Sequence, residues 1–276
     1  MVYNIMNFLT LITRVKNEPF IEEFVRHYFN EGVDIIHIFD DNSTIPFPEY
    51  LINNPKVVIH KSYKFKEGDM IEAKELYKKI RLTSLWFIIV DADEYITTKK
   101  NFNKTIKDEL ESTFKDVDCI KVPWVFMAWN NKEIEPENLL IENIYRMNHD
   151  LKHPNSWSKG RCRYDSIEIK TIFKGNKYED LNNTHIPYSS KNTICVNSVN
   201  NNRSPLDPFF INLREEKIKN AFLVCYHYRF TSNECCKRKA ETSSYTIYKV
   251  DIKILKSTDY PELIDETMKN KVLSRL

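Results

Sequence analysis

An alternation of apolar, strand-like runs with amphipathic segments in the first ninety residues constrains this chain most strongly. Residues 8–13 form an apolar run of strand length. Residues 20–31 carry apolar side chains at three- and four-residue spacing, and Gly32 supplies a C-terminal stop for the predicted helix. A second apolar run, 33–39, follows. Strand, helix and strand in this order predict a right-handed parallel unit.

The same alternation continues to residue 90. Residues 56–60 predict a third strand and residues 69–83 a second amphipathic helix. Residues 86–90 are all apolar, as expected of a central parallel strand, and the acidic turn Asp91-Ala92-Asp93 follows at once. We therefore predict an α/β fold of Rossmann-like type, with a central, mostly parallel sheet flanked by helices. Ligands of such sheets gather at the carboxyl ends of the strands.

The second half of the chain is less regular. Its predicted elements are a helix at 102–114, strands at 119–127, 167–173 and 223–228, a polar helix after Ser232 and a helix at 261–273. Residues 176–208 are rich in Asn, Ser and Pro and predict long loops near the active site. With 276 residues and no linker-like stretch, the chain is expected to form one domain with a mixed C-terminal half.

The balance of charge limits the classes of binding partner. Lys and Arg number 41 against 39 Asp and Glu, a formal net charge of +2, so a broad basic surface for nucleic acid is absent. A small-molecule or saccharide substrate fits better. No apolar stretch approaches the roughly 20 residues needed to cross a bilayer, and the start lacks the features of a signal peptide. We expect a cytoplasmic protein without nucleic-acid or membrane partners, and the oligomeric state stays open.

The six cysteines indicate reduced thiols, because they show neither a C-x-x-C pair nor the spacing of a disulfide framework. A zinc site built from Cys225, His227, Cys235 and Cys236 is an alternative. The adjacent cysteine pair lacks the usual separation between zinc ligands, which disfavours that site.

Two D-x-D patterns occur, and their contexts differ. Two carboxylates in a turn at a strand end can point at one divalent cation, and Mg²⁺ or Mn²⁺ is the natural ligand. Asp91 and Asp93 have this context. Asp116 and Asp118 instead lie between a charged helix tail and a strand, which predicts an ordinary solvated turn.

Four ordered patches resemble one family, the GT-A fold glycosyltransferases of family 2 and their family-92-like relatives. The patches are Lys16-Asn17-Glu18-Pro19, Phe39-Asp40-Asp41-Asn42-Ser43, the run from Leu85 to Ile96 with its W-x-x-x-x-D-x-D-E-aromatic pattern, and His227-Tyr228-Arg229-Phe230-Thr231-Ser232. The segment from Lys170 to His185 is loosely similar to the family's K-x-I…H stretch. Residues 126–131 are bulky where relatives have a small-residue loop.

The resemblance implies a metal-dependent enzyme that moves a sugar from a nucleotide-diphosphate donor, a UDP-sugar first of all, to a glycan or other hydroxyl acceptor. Mn²⁺ or Mg²⁺ would be held by Asp93, Asp91 and His227, with Asp91 alternatively contacting ribose. Residues 8–96 would be the nucleotide-binding half, 97–240 the acceptor-binding half and 241–276 a helical extension. The residues assigned to the donor are Thr13, Arg14, Glu18, Asp40, Asp91 and Ala92.

An inverting transferase needs a carboxylate to take the acceptor's proton. Glu179 and Asp180, in the loop-rich half, are the candidates. Lys237, Arg238 and Lys239 could cover the diphosphate or form a solvated helix face. Three tryptophans could stack on sugars or belong to the core, namely Trp124, Trp129 and Trp157.

Two other functions stay open from the sequence. A nucleotidyltransferase would bind the same ligands, but it usually carries a glycine-rich loop after its first strand, and residues 13–17 contain no glycine. A non-catalytic saccharide- or nucleotide-binding module is the second alternative. The retained Asp91, Asp93 and His227 disfavour it.

Overall fold

A computed structural model describes residues 7–62, 71–151, 162–163, 166–243 and 248–276. In these ranges the strands are β1 (Asn7–Val15), β2 (Ile35–Asp40), β3 (Val57–Lys61), β4 (Ser84–Asp91), β5 (Glu94–Thr98), β6 (Cys119–Ala128), β7 (Tyr145–Arg146), β8 (Cys162–Arg163), β9 (Ser166–Lys174), β10 (Asp180–Leu181), β11 (Pro187–Tyr188), β12 (Cys195–Asn197), β13 (Phe209–Phe210), β14 (Leu223–His227) and β15 (Leu263–Ile264). The helices are α1 (Ile21–Asn30), α2 (Glu49–Ile52), α3 (Ile71–Ile80), α4 (Ile106–Glu111), α5 (Leu139–Glu142), α6 (Glu215–Lys219), α7 (Asn233–Thr242), α8 (Ile252–Lys256) and α9 (Thr267–Leu273).

The first half has the predicted alternation. The strands β3, β2, β1 and β4 lie side by side in that order, and all three pairings are parallel. Helix α1 ends at Asn30, and Gly32 follows with φ +90°, a conformation that L side chains rarely adopt. A Cβ at Gly32 would also lie 2.5 Å from Cβ of Lys107. The helix stop predicted from the sequence is therefore confirmed.

The prediction of a mostly parallel sheet is wrong, because the sheet is mixed. Strand β9 runs antiparallel between β4 and β6. Beyond it, β14 pairs parallel with β6 and antiparallel with β5, while β7 pairs antiparallel with β6. Antiparallel neighbours need no helical crossover, which is consistent with the short, irregular helices of this half.

The C-terminal segment does not form a purely helical extension. Predicted as helix throughout 261–273, it contains the short strand β15, which pairs with β7 and so joins the main sheet. Helix α9 begins only at Thr267. One apolar core cluster includes Leu9, Ile88, Val125 and Met268, so both halves and the C-terminal segment share a core. Within the described ranges, no helix combines the length and apolar character required to traverse a bilayer.

Candidate functional site

The strand order creates a switch point between β1 and β4. From β1 the chain continues to β2 and β3 on one side and then returns to β4 on the other side. Open α/β sheets bind ligands in the crevice outside the carboxyl ends of strands at such a point. Arg14 of β1 is the register partner of Asp91 of β4, and Asp40 ends the neighbouring β2 beside Val15. Three predicted site residues thus lie along one edge.

Two cations hold Asp91 at this edge. Arg14 Nε donates to Asp91 Oδ1 at 2.7 Å, and Lys170 Nζ lies 3.3 Å from Oδ2. Burial alone would raise the pKa of Asp91, but Arg14 and Lys170 outweigh it and lower that pKa. Lys170 is fully buried and lies 2.9 Å from Glu94 Oε2 as well. Asp91 is therefore an ionised carboxylate fixed in position.

Asp93 follows in the turn and meets the late strand β14 and helix α7. Its Oδ2 accepts from Lys239 Nζ at 2.8 Å, and its Oδ1 lies 3.5 Å from Nε2 of His227. The backbone N–H of Tyr228 donates to the Asp93 carbonyl at 2.8 Å, which fixes the turn. Burial lowers the pKa of His227, so its ring is neutral near pH 7 and can donate a lone pair.

We call Arg14, Asp91, Asp93, Lys170, His227 and Lys239 the switch-point cluster. Two other carboxyls border it. Burial raises the pKa of Glu94 to about 8, and Glu94 Oε2 accepts from the Asp91 N–H at 2.7 Å. Burial raises the pKa of Glu18 to about 7 despite the nearby charge of Lys239. Glu18, whose pKa is influenced by the charges of Lys239 and Asp93, is thus suited to taking a proton near neutrality.

Asn17 joins the turns of the first two sequence patches. Its Oδ1 accepts from the N–H groups of Thr44 and Ile45 at 2.7 and 3.1 Å, and its own N–H donates to Ser43 Oγ at 3.0 Å. Asp40 Oδ1 accepts from the Ser43 N–H at 2.9 Å. The loop after β1 and the loop after β2 are therefore held together beside the switch point.

Of the remaining residues predicted to bind the donor, Thr13 and Ala92 could contact a ligand mainly through their backbone groups. Thr13 is fully buried within β1, and Ala92 is 6% exposed in the turn. Their side chains are enclosed by protein, so a ligand at this edge would meet their peptide groups. Asp40 is partly exposed at the sheet edge.

Glu179 and Asp180 have partners of their own, apart from the switch-point cluster. Asp180 forms ion pairs with Lys74 and Lys78 of α3, at 3.4 and 2.8 Å. Glu179 accepts from the N–H and hydroxyl of Ser190 at 2.8 and 2.7 Å. The pKa of each carboxyl is lowered, which weakens it as a base. Their contacts provide no support for the predicted role.

The second D-x-D lies at the opposite end of the sheet. Asp116 is exposed in a turn, as predicted. Asp118 is 6% exposed, and its Oδ2 accepts from the Ile194 N–H at 2.9 Å, so it is a buried structural group rather than a solvated one. Both precede β6, which runs in the same direction as β4 because each is antiparallel to β9.

The tryptophans differ in their surroundings. Trp129 is 2% exposed and packs on Phe230 with ring centroids 5.6 Å apart, as a core residue does. Trp124 is also buried, but it lies beside His185 and against His227, with centroids 5.4 and 4.4 Å away. Within the described part of the chain, the Trp124 Nε1–H has no hydrogen-bond partner. Trp157 lies outside the described residues.

The zinc alternative gains no support. Cys225, Cys235 and Cys236 are buried free thiols, as are Cys119 and Cys195. Across the described part of the chain, no three or more His, Cys, Asp or Glu side chains are grouped to hold a metal ion. Asp93 and His227 nevertheless face each other as a pair of possible ligands.

Sequence reasoning did not single out the two lysines of the cluster. Lys170 lies among Ile167, Ile169, Ile172 and Phe173 of β9, and a lysine within a largely buried strand is a signal that could have been used. Lys239 belongs to a basic run in which Lys237 is exposed and Arg238 pairs with Glu135. The sequence alone therefore does not tell which residue of the run Lys237-Arg238-Lys239 contacts Asp93.

Comparison with known proteins adds no family assignment. No protein-family model matches the sequence, and a search of curated proteins finds none similar to it. Among solved structures, the chain is similar to HddC from Yersinia pseudotuberculosis, with a TM-score of 0.36 and 10% identity. The match covers 69% of this chain and 89% of that chain. A similarity this low does not assign a function, so function is inferred from the geometry of the site.

Proposed function

We propose that this chain is a glycosyltransferase that moves a sugar from a nucleoside-diphosphate donor, first of all a UDP-sugar, to a hydroxyl group of a glycan or other acceptor. The observation that carries the proposal is the switch-point cluster. It combines two ionised carboxylates, three cations and a neutral histidine at the edge where α/β sheets bind ligands. A diphosphate and a divalent ion together need this mixture of charges.

The strand order supports a GT-A-like architecture. The parallel series β3, β2, β1 and β4 supplies a nucleotide-binding half, and antiparallel β9 beside β4 begins a second half that contributes Lys170. The loop between β1 and α1 has no glycine to wrap phosphates, which disfavours nucleotidyl transfer. Asp40, at the end of β2, would accept a hydrogen bond from the pyrimidine imide or a ribose hydroxyl.

Asp93 and His227 fit a divalent metal ion. Ligands about 2.1 Å from an octahedral ion and at right angles lie roughly 3 Å apart, close to the 3.5 Å between Asp93 Oδ1 and His227 Nε2. Mg²⁺ commonly takes one or two protein ligands and completes its shell with water and phosphate oxygens. Asp91 is already held by Arg14 and Lys170, so we assign it to positioning or to the ribose rather than to the ion.

Charge on the leaving diphosphate grows as the glycosidic bond breaks, and a bound Mn²⁺ or Mg²⁺ would stabilise it. The chain's own cations act on the same charge. Lys239 and Arg14 approach the edge from α7 and β1. Glu18 is the carboxyl that we assign as the acceptor's base, because its pKa is about 7 and the charges of Lys239 and Asp93 act on it. A single displacement of this kind inverts the anomeric carbon.

Nucleotide binding tests the proposal directly. UDP, GDP, CDP and ADP are each screened by thermal unfolding with and without MnCl₂. A nucleotide at 100 times its Kd should add about 2.7 kcal/mol of stability, or roughly 5 °C for a chain of this size. Release of nucleoside diphosphate from the matching sugar donor then measures turnover.

Asp93→Asn should remove the manganese-dependent part of this stabilisation and lower turnover by at least about 100-fold. Asp116→Asn is the matched control, because Asp116 is an exposed carboxylate of the other D-x-D. If no nucleoside diphosphate stabilises the protein, or if both variants behave alike, the proposal is wrong.

A further inference from the structure

Lys239 is placed as a built-in counter-charge to Asp93. Its Nζ lies 2.8 Å from Asp93 Oδ2 and also donates to the Arg229 carbonyl. The rings of Phe230 and Tyr248 lie beneath it, each with its centroid 5.7 Å from the nitrogen. A lysine side chain is positively charged near neutral pH, and the ion pair with Asp93 stabilises this charge.

The helix that carries Lys239 is firmly anchored. The Ser232 hydroxyl caps α7 by accepting from the Cys235 N–H at 2.9 Å, and Cys235 and Cys236 are buried beneath the helix. The N–H groups of Asn233 and Glu234 bond to the carbonyls of Lys132 and Glu133. Lys237, two residues before Lys239, is exposed instead. The anchored helix therefore keeps the Lys239 side chain within reach of Asp93.

This contact sets a condition on metal binding. A divalent ion that approaches alone must compete with an ammonium group for the Asp93 carboxylate, and like charges at this distance repel. A diphosphate offers the ammonium another anionic partner at the same edge. Once Lys239 turns to the phosphate, Asp93 becomes available to the ion.

We infer that Lys239 makes the binding of divalent metal and of nucleoside diphosphate interdependent, so that the site takes up the ion together with the nucleotide rather than before it. The inference rests on the proposed function and specifies how its site is loaded. Linkage requires the effect to be reciprocal: the nucleotide raises the affinity for metal by the factor by which metal raises the affinity for nucleotide.

Direct binding measurements test the inference without activity. Mn²⁺ binding is followed by the loss of the electron paramagnetic resonance signal of free Mn²⁺, and nucleoside diphosphate binding in EDTA by calorimetry. Wild-type protein should bind Mn²⁺ weakly alone and bind the nucleotide measurably without metal. Lys239→Met should bind Mn²⁺ at least about 5-fold more tightly, bind metal-free nucleotide at least about 5-fold more weakly, and lose most of the coupling.

Three comparison variants make the result specific. Lys237→Met should match wild type. Free nucleotide chelates Mn²⁺ to the same extent with every variant, so this contribution cancels when Lys239→Met is compared with Lys237→Met. Lys239→Arg, which keeps the charge, should retain the coupling. Asp93→Asn should lose Mn²⁺ binding but keep metal-free nucleotide binding, because Lys239 is then released. Circular dichroism verifies the fold of each variant.

Two outcomes separate the inference from the proposed function. If wild type binds metal and nucleotide but Lys239→Met leaves both affinities and their coupling unchanged, the inference is wrong and the function stands. If wild type binds no nucleoside diphosphate with or without Mn²⁺, the proposed function fails and the inference fails with it.

Discussion

The molecule contains two buried clusters in which cationic and anionic side chains meet, and the polar atoms of one cluster are more completely hydrogen-bonded than those of the other. The first is the switch-point cluster. The second, which we call the C-terminal clamp, consists of Lys99, Arg146, His149, Glu215, Tyr226 and Asp265. In the clamp, Arg146 donates to Asp265 and to both oxygens of Glu215. Lys99 and Tyr226 also donate to Asp265. Residues up to 166 positions apart are joined in this way.

The switch-point cluster and its border are incomplete by comparison. Nδ1 of His227, Nε1 of Trp124 and Oε1 of Glu94 are buried and find no hydrogen-bond partner among the residues that the structure describes. His227 is also 3.5 Å from Asp93, longer than a good hydrogen bond. Buried polar atoms in native proteins are nearly always paired. The complete pairing of the clamp is typical of a structural ion-pair network, and the less complete pairing at the switch-point cluster is consistent with the ligand site that we propose there.

The largest expected effect is the loss of stability on breaking the clamp. Arg146→Met leaves Glu215 and Asp265 charged and partly unpaired in the interior, which should cost about 3–5 kcal/mol in urea unfolding. The folded fraction should still bind nucleoside diphosphate, because no clamp residue belongs to the switch-point cluster.

Lys132→Met is the matched control. The pair of Lys132 with Glu142 is about a third exposed on each side, so its removal should change stability by less than about 1 kcal/mol. Equal losses from Arg146→Met and Lys132→Met would remove the distinction between the clamp and an ordinary surface pair.

Sequence predicted the first half of the fold well because its signals are local. The periodicity of apolar residues identified β1, α1, β2, β3, α3 and β4 to within a few residues. The second half depends on pairing partners distant in sequence. Strand β5 was not predicted, and Leu263–Ile264 became strand because Arg146 and Tyr145 of β7 pair with it.

The same limit applies to the site. Asp91, Asp93 and Arg14 could be placed at one edge because parallel strands end together. Which lysines pair with Asp91 and Asp93 is harder to infer, since Lys170 and Lys239 lie 79 and 146 residues along the chain from these two carboxylates, respectively. The two carboxylates predicted as the base, Glu179 and Asp180, instead contact Ser190 and helix α3, because a position in the loop-rich half does not tell which face of the sheet a carboxylate reaches.

The second-largest expected effect is a loss of turnover on removing the base, and it distinguishes Glu18 from Glu179 and Asp180. Glu18→Gln should lower kcat by about 100-fold or more with little change in nucleotide affinity, because a general base contributes typically 10²–10⁴-fold. Steady-state kinetics and calorimetry measure the two quantities separately. Glu179→Gln and Asp180→Asn should each keep wild-type turnover, since their carboxylates are held by Ser190 and α3.

Normal turnover in Glu18→Gln together with a large loss in Asp180→Asn would restore the candidate predicted from the sequence. Retention of the donor's anomeric configuration in the product would contradict a single displacement and would require an enzyme nucleophile in addition to a base.

The smallest effect uses pH to probe the clamp alone. Burial would raise the pKa of Asp265, but Lys99 and Arg146 lower it from 3.8 to about 2. A carboxyl whose pKa is depressed by folding stabilises the native state above its unfolded pKa, and this stability is lost as the pH falls through 3.8 towards 2. The difference of nearly two pKa units corresponds to about 2 kcal/mol. Urea unfolding should therefore show a gap between wild type and Asp265→Asn that is full at pH 5 and narrows by about that amount towards pH 2. A gap that stays constant over this range would mean that the Asp265 carboxylate gains nothing from Lys99 and Arg146, and the clamp would then owe its stability to packing rather than to charge.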